Sequence, residues 1–257
     1  MSHTAHNTTL VSVIMPAYNA SATISDSINS VLAQTYANWE LLVVDDASTD
    51  DTVALVKGYA DQRIHLHLNP ANLGVALTRN AAISNARGKY LAFLDSDDMW
   101  LPSKLEKQLE FMEQKKATIS FTGTYYIDAT GKPSHYVLHA EEVFTYKQLL
   151  CRNIMSCSSI MVQTDCMILF SQGSIHEDYV SWLQLIKIAG QAYGLNEQLL
   201  IYRMGVETKS SNRLKSMQMI YKSYRHVGYR FVLSCFFTLR YAKHSIIKRH
   251  MIKMGYK

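Results

Sequence analysis

The sequence predicts an α/β fold: a Rossmann-like, mostly parallel central sheet with helices on both faces, followed by a C-terminal helical tail. Three observations predict it. Short apolar runs alternate with segments of helical period through residue 100. Three of those runs end in polar clusters, where ligand crevices open in parallel sheets. The last fifty residues then change character, becoming basic and aromatic.

The elements follow in order. Leu10–Met15 is apolar and stops at Pro16, which reads as a buried strand. Ser21–Gln34 places Ile24, Ile28, Val31 and Leu32 on one face, a helical period. Glu40–Val44 is a second strand, and the polar run from Asp45 to Asp51 supplies an N-cap for a short helix, Thr52–Ala60. Ile64–Leu68 is a third strand. Asn72-Leu73-Gly74 opens a helix that Gly88 closes, and Lys89–Leu94 is a fourth strand. A charged helix runs from Pro102 to Lys116. Residues 117–163 read as mixed strands and loops, and His176–Ala189 as a helix. Gln191–Tyr202 returns as strand, and two helices are expected beyond Asn212, one covering Phe231–Tyr241. Right-handed crossovers bring Pro16–Asn19, Asp45-Asp46 and Asp95–Asp98 to one sheet edge.

Composition excludes several classes. With 48% hydrophobic and 18% charged residues, the chain is too apolar for disorder, and 11 Gly and 4 Pro do not make a fibrous sequence. Cys151, Cys157, Cys166 and Cys235 lack metal-site spacing and read as packed, reduced thiols. MSHTAHNTTL has no basic region before an apolar core, so no secretory signal is expected. The net charge of +5 is an average. All 21 acidic residues lie at or before Glu207, together with 14 of the 26 basic ones, a net of −7. The other 12 basic residues lie beyond, a net of +12.

Asp95-Ser96-Asp97-Asp98 after an apolar strand is the central chemical feature. Three carboxylates in four residues repel one another unless a hard divalent cation, Mn²⁺ or Mg²⁺, neutralises them. Such ions complete their shell with substrate phosphates, so a phosphorylated ligand is expected; the competing reading is a solvated helix-capping turn. Asp45 and Asp46 suit a nucleobase N–H or ribose hydroxyls, or else helix capping by their neighbours, with Asp50 or Asp51 as cap and Asp46 facing ligand. Tyr18, after Pro16, offers a ring to stack on a base or simply a packed turn tyrosine. Arg79, on the helix after Gly74, is placed to reach a diphosphate, or is an ordinary exposed arginine.

Val11–Asn19, Leu41–Asp50, Asn72–Gly74 with Arg79-Asn80, and Gly88–Asp98 together resemble the family 2 glycosyltransferases in order and spacing. The acid pair Glu177-Asp178 ahead of Trp182 is similar to that family's acceptor-side helix, so the resemblance covers residues 10–205. It implies a GT-A fold and inverting transfer from a nucleotide-diphosphate sugar, usually a UDP-sugar. On that pattern Pro16, Tyr18, Asp45 and Asp46 hold the base region and Arg79 the nucleotide. Asp95 and Asp97 are the DxD motif: Asp97 ligates the metal, and Asp95 contacts ribose or metal-bound groups. Asp178 is the general base, with Glu177 as alternative or supporter. The expected organisation is a catalytic domain, 1–207, with a nucleotide-sugar half (1–100) and an acceptor half (101–207), then a tail, 208–257. One departure is the end of the last strand. Tyr202-Arg203-Met204-Gly205 lacks the histidine many members carry, leaving Arg203, Lys209 or Arg213 to supply positive charge. Residues 206–212 are expected to form a flap over the donor.

The tail interleaves Lys and Arg with Tyr221, Tyr224, Tyr229, Phe231, Phe236, Phe237, Tyr241 and Tyr256, a pattern that suits an anionic membrane surface. Nucleic acid is not expected as a partner, since nothing else in the chain supports it. The resemblance then implies an undecaprenyl-diphosphate glycan acceptor at the cytoplasmic face of the membrane, in O-antigen, capsule or exopolysaccharide synthesis. Two other classes stay open at this point: a sugar-1-phosphate nucleotidylyltransferase, although the loop after the first strand has no glycine, and a non-catalytic nucleotide-sugar-binding scaffold.

Overall fold

The computed structural model describes residues 8–205 and 213–254. The first half follows the expected alternation: β1 (Val11–Ala17), α1 (Ile24–Leu32), β2 (Trp39–Asp45), α2 (Thr52–Lys57), β3 (Ile64–Leu68), α3 (Val75–Ser84) and β4 (Tyr90–Phe93). The second half comprises β5 (Met99–Trp100), α4 (Lys104–Lys115), β6 (Ile119–Ile127), β7 (Pro133–Leu138), β8 (Val143–Thr145), α5 (Tyr146–Leu149), β9 (Met161–Gln163), α6 (Glu177–Ala189) and β10 (Gln191–Arg203). Helices α7 (Arg213–His226) and α8 (Phe231–Met254) end the described chain.

One sheet runs β3-β2-β1-β4-β9-β6-β10-β5, with β7 on β6 and β8 on β10. The first four strands are parallel, as the alternation predicts. Beyond them the sheet is mixed: β9 is antiparallel to β4 and β6, and only β6 with β10 is parallel. For β7, antiparallel to β6, the cause is connection length. A parallel pair needs a long crossover, whereas Asp128–Lys132 is a tight turn that folds β7 back on β6.

Side chains alternate between two core layers. Val11, Val13 and Met15 of β1 pack with Ile24, Ile28 and Val31 of α1 and Leu105 and Leu109 of α4. Ile14, Leu42 and Phe93 face the other way, toward Trp182 of α6 and Ile220 and Tyr224 of α7. Glu40 is buried inside this frame. It accepts from Ser12 Oγ at 2.7 Å and from Arg87 Nη2 at 2.7 Å. Burial alone would raise its carboxyl, but Ser12 and Arg87 outweigh that and hold it below its usual range. Gly88 sits against this cluster; a Cβ there would stand 2.6 Å from the Ser12 nitrogen, so only glycine fits.

β1 does not stop at Pro16 but continues to Ala17, paired on one side only. Its register with β2 extends to Ala17↔Asp45, while that with β4 ends at Ile14↔Phe93. Pro16 has no N–H to offer a second neighbour, so the strands part there without an orphaned donor. The order β3-β2-β1-β4 also reverses direction between β1 and β4, where α/β sheets bind ligands.

α7 and α8 pack on this body. Tyr224 is fully buried, and its hydroxyl lies 2.6 Å from the Leu150 carbonyl and 2.9 Å from the Tyr179 hydroxyl. α8 is longer than expected, running on from Tyr241 to Met254. All four cysteines are free, but Cys166 is exposed, not packed, because it lies on a surface turn after β9. The expected flap at 206–212, with Lys209, lies outside the described residues, as does the side chain of Arg213.

Candidate active site

The crevice opens beyond the carboxyl ends of β1, β2 and β4. Asn19, at φ 47°, turns the chain after β1; its Oδ1 accepts from Thr49 N at 2.9 Å, and its own N–H donates to Ser48 Oγ. The loops after β1 and β2 are thereby tied together. Tyr18 stands at this rim with its ring half exposed, free to take a flat ligand face.

The neighbouring acids differ in how they are used. Asp46 is buried and accepts three hydrogen bonds: Oδ1 accepts from Asn69 Nδ2 and Leu73 N, and Oδ2 from Gly74 N at 2.8 Å. Burial alone would raise its carboxyl, but these donors outweigh it and hold it below the usual range. Asp46 thus shapes the loop leading into α3. Asp45 accepts from Ser48 N through Oδ2, while its buried Oδ1 has no hydrogen-bond partner among the described residues. The cap of α2 is shared: Asp51 occupies the N-cap position, and Asp50 Oδ1 accepts from Thr52 N.

Asp95, Asp97 and Asp98 follow β4 and point different ways. Asp98 is buried, and its Oδ1 accepts from Arg203 N at 3.0 Å. Burial, with the charges of Asp97 and Asp95, pushes its carboxyl well up. Asp97 is exposed on the crevice wall, yet the protein packed around it and the Asp95 charge push its carboxyl up to about 6. Asp95 is part-buried and pairs with Arg79 Nη2 at 2.6 Å. Its N–H donates to Ser158 Oγ, on a turn between α5 and β9.

These residues fit a divalent cation. The donors are carboxylate oxygens, Asp97 is open to the crevice, and burial first, then the Asp95 charge, raises its carboxyl, a cost that a bound cation would offset. Among the described residues no group of three His, Cys, Asp or Glu side chains closes around an ion, so a cation here completes its shell with water or ligand oxygens.

Arg79 is not the exposed helix arginine of the simpler reading. It is 4% exposed, and its second nitrogen reaches Glu177 Oε1 at 3.3 Å. One guanidinium therefore connects the acidic motif after β4 with the acid pair opening α6. Glu177 is occupied by this contact. Asp178, beside it, accepts only from its neighbour Tyr179 N among the hydrogen bonds seen. Burial first, then the Glu177 charge, raises the Asp178 carboxyl. Ser223 of α7 accepts from His176 N at 3.1 Å and fixes the start of α6.

Arg203, two residues before the place where the histidine is absent, faces the acidic motif. Its Nε donates to the Asp97 carbonyl at 3.1 Å and its Nη2 to Asp26 at 2.9 Å. Sequence reasoning missed Ser158, Asn69 and the buried Cys157 beside Arg79. None lies in a motif, and each reaches the site only through tertiary packing.

A parallel-sheet crevice with an acidic motif on one wall and a second acid pair across an arginine defines a GT-A glycosyltransferase. Residues 12–177 match Glycosyl transferase family 2, and the chain belongs to that family. It is 39% identical to TuaG of Bacillus subtilis, assigned to teichuronic acid biosynthesis as a glycosyltransferase, over 93% of this chain and 97% of that one. It is also 39% identical to WfgD of Escherichia coli, a UDP-Glc:alpha-D-GlcNAc-diphosphoundecaprenol beta-1,3-glucosyltransferase, over 81% of this chain and 83% of that one. In fold it is similar to residues 1–349 of Staphylococcus aureus TarS, solved with UDP-GlcNAc, with a TM-score of 0.70 at 22% identity. That match covers 84% of this chain and 65% of the TarS chain.

Proposed function

We propose that this glycosyltransferase moves a hexosyl or hexosaminyl residue, with inversion, from a UDP-sugar to a hydroxyl of an undecaprenyl-diphosphate-linked glycan in O-antigen, capsule or exopolysaccharide synthesis. The observation that carries the reading is the Arg79 bridge. It links Asp95, in the motif suited to a nucleotide diphosphate, to Glu177, the chain neighbour of Asp178, and so supports reading both acid groups as parts of one site. Similarity to WfgD supports the acceptor class.

Inverting transfer is one in-line displacement at the anomeric carbon. The acceptor oxygen forms the new bond while its proton passes to a carboxylate oxygen of Asp178. The bond from the anomeric carbon to the diphosphate oxygen breaks, and the diphosphate leaves with the electron pair. Asp178 suits the base because burial has raised its proton affinity. Glu177 is tied to Arg79 and positions the base. Tyr18 stacks on the nucleobase at the rim near Pro16, and Asp45, with an unused oxygen, accepts from the base or ribose. Asp46 supports that surface from behind. Asp97, with Asp95 beside it, would hold Mn²⁺ or Mg²⁺, which would supply charge neutralisation for the leaving diphosphate. The enzyme would work peripherally at the cytoplasmic face of the membrane, carried by the basic tail; among the described residues no helix is long and apolar enough to cross a bilayer.

A donor screen tests this. UDP- and GDP-sugars are each assayed with Mn²⁺ for binding and slow hydrolysis. One UDP-sugar is expected to stand out. Equal indifference to every nucleotide sugar would overturn the reading.

A further inference from the structure

A second cleft lies beside the crevice, between α7 and the loop that leads into α6. It has a volume of about 290 Å³. One wall is α7, with Lys215, Gln218 and Lys222; the other is the loop Gly173–Ile175. Lys215, Gln218 and Lys222 are spaced i, i+3 and i+7, so they share a helix face. Their side chains supply two ammonium groups and an amide, and no carboxylate is among the described residues that line the cleft. Its floor is apolar, formed by the buried Ile175 and Met219. Gly173 turns the loop at φ 126°, a conformation that favours glycine, and open space surrounds it.

The cleft is registered against the proposed base. Ser223, next to Lys222, accepts from His176 N, and Ser216, next to Lys215, lies 3.4 Å from His176 Nε2. Ile175 is three residues before Asp178, a span of at most about 10 Å of chain. One cationic wall over an apolar floor suits a molecule that is anionic at one end and a hydrocarbon at the other.

We propose that this cleft binds the diphosphate of a prenyl-diphosphate-linked acceptor, with Lys215 and Lys222 on its phosphates and Ile175 and Met219 against the first isoprene units. The assignment rests on the acceptor class proposed above and deepens it. With the diphosphate this close to Asp178, only a short glycan fits between them. The enzyme therefore adds to a sugar at or near the lipid end, and the reaction before it must be the one that loads the first sugar phosphate onto the prenyl phosphate.

The test uses the full chain and two probes, farnesyl diphosphate and the uncharged farnesol. Binding is measured with Mn²⁺ and UDP saturating the donor side, so that the acidic motif does not compete. Farnesyl diphosphate is expected to bind and farnesol to bind far more weakly. The Lys215→Gln/Lys222→Gln double variant should weaken farnesyl diphosphate about tenfold, or about 1.4 kcal/mol, while still binding UDP, which reports that it is folded. The difference should shrink at high salt, because both ammonium groups are exposed. Unchanged farnesyl diphosphate affinity in the double variant overturns the proposal. So does a variant that keeps farnesyl diphosphate but loses binding to phosphatidylglycerol vesicles, since its lysines would then read bilayer headgroups. The binding assay needs no turnover. If the wild-type enzyme transfers only to an acceptor without lipid diphosphate, yet its lysines still govern farnesyl diphosphate binding, the cleft stands and the acceptor class falls.

Discussion

The guanidinium of Arg79 donates to Asp95 at 2.6 Å from a position almost wholly removed from solvent. Its other terminal nitrogen is 3.3 Å from Glu177, 98 residues along the chain. A planar fork can hold both carboxylates at fixed angles, whereas an ammonium is a single point. Arg79→Lys is therefore expected to lower turnover about hundredfold, the scale of a misplacement near 1 Å, while leaving the protein folded. Arg79→Ala strands two carboxylates and should cost about 3 kcal/mol of stability as well. Steady-state kinetics and thermal melting measure both; wild-type turnover in the lysine variant would refute the bridging role.

Asp97 and Asp178 should separate cleanly. Removing a general base costs about 10²- to 10⁴-fold in rate and leaves the donor side intact. Asp178→Ala is thus expected to lose transfer but to bind UDP-sugar as wild type does. Asp97→Ala should lose transfer together with metal-dependent donor binding. Calorimetry with and without Mn²⁺ reads the difference. Full activity in either variant with the correct substrates removes the mechanism.

The acid limb of activity carries a sign. Asp178 acts ionised, and burial followed by the Glu177 charge raises its carboxyl above the ordinary carboxylate range. As pH falls, kcat/KM should drop earlier than an unperturbed aspartate would allow. Glu177→Gln removes one raising charge, so its limb should move to lower pH at saturating metal. A limb that stays in place, or moves up, contradicts the assignment of Asp178 as base.

The parallel half of the sheet was legible because its strands are short, apolar and separated by capped helices, a local signal. From the alternation alone, Pro16, Asp45, Asp95 and Asp97 could be set on one edge. Arg79 was legible as a site residue but not as a bridge, because Glu177 approaches it only once α6 has packed. Asp46 was legible as an acid at the crevice but not as the anchor of the loop before α3, because its donors Asn69, Leu73 and Gly74 reach it only through a turn. Ser158 carries no pattern; it meets Asp95 N through packing of a turn against β4. β10 was expected at Gln191–Tyr202 and runs Gln191–Arg203, but the slip in its pairing with β6 between Leu195 and Leu200 was not legible, because it depends on the partner strand.

Lys104 sits fully buried in α4, its Nζ 3.7 Å from the Trp100 ring centre and without a hydrogen-bond partner among the described residues. Burial pushes its ammonium well below the usual lysine value. The folded state then binds fewer protons than the unfolded chain. Stability should rise with pH between the depressed folded value and the unfolded value near about 10.4. Lys104→Met fills the same space without a charge. It should raise stability near neutral pH by about 1 kcal/mol, after loss of the cation–π contact, and flatten the slope in that window. Chemical denaturation at several pH values checks this. A variant less stable than wild type at neutral pH would show that the buried ammonium is compensated.

The outward face of α8 is apolar where a solvated helix should be polar. Val232, Phe236, Leu239 and Ile246 form one exposed stripe opposite the packed Phe237 and Tyr241, with Val232 75% and Leu239 66% exposed. Arg240 flanks it, Lys243 lies within it, and no acid lies beyond Glu207. The same spacing would serve a helix pair, but Lys243 falls within the stripe and would meet its own copy in a parallel dimer. An anionic bilayer satisfies both the apolar and the cationic groups. Deleting the tail is a poor test, because α7 buries Ile220 and Tyr224 in the core. Val232→Ser/Phe236→Ser/Leu239→Ser leaves that packing alone. Each side chain contributes up to about 1.5–3 kcal/mol when fully buried, so even partial insertion predicts a loss of more than about tenfold in co-sedimentation with phosphatidylglycerol vesicles. Lys243→Glu should weaken binding to these vesicles at low salt and matter little with phosphatidylcholine. Unchanged sedimentation of the triple variant, or a wild-type dimer that the triple variant dissociates, would take the membrane away from α8.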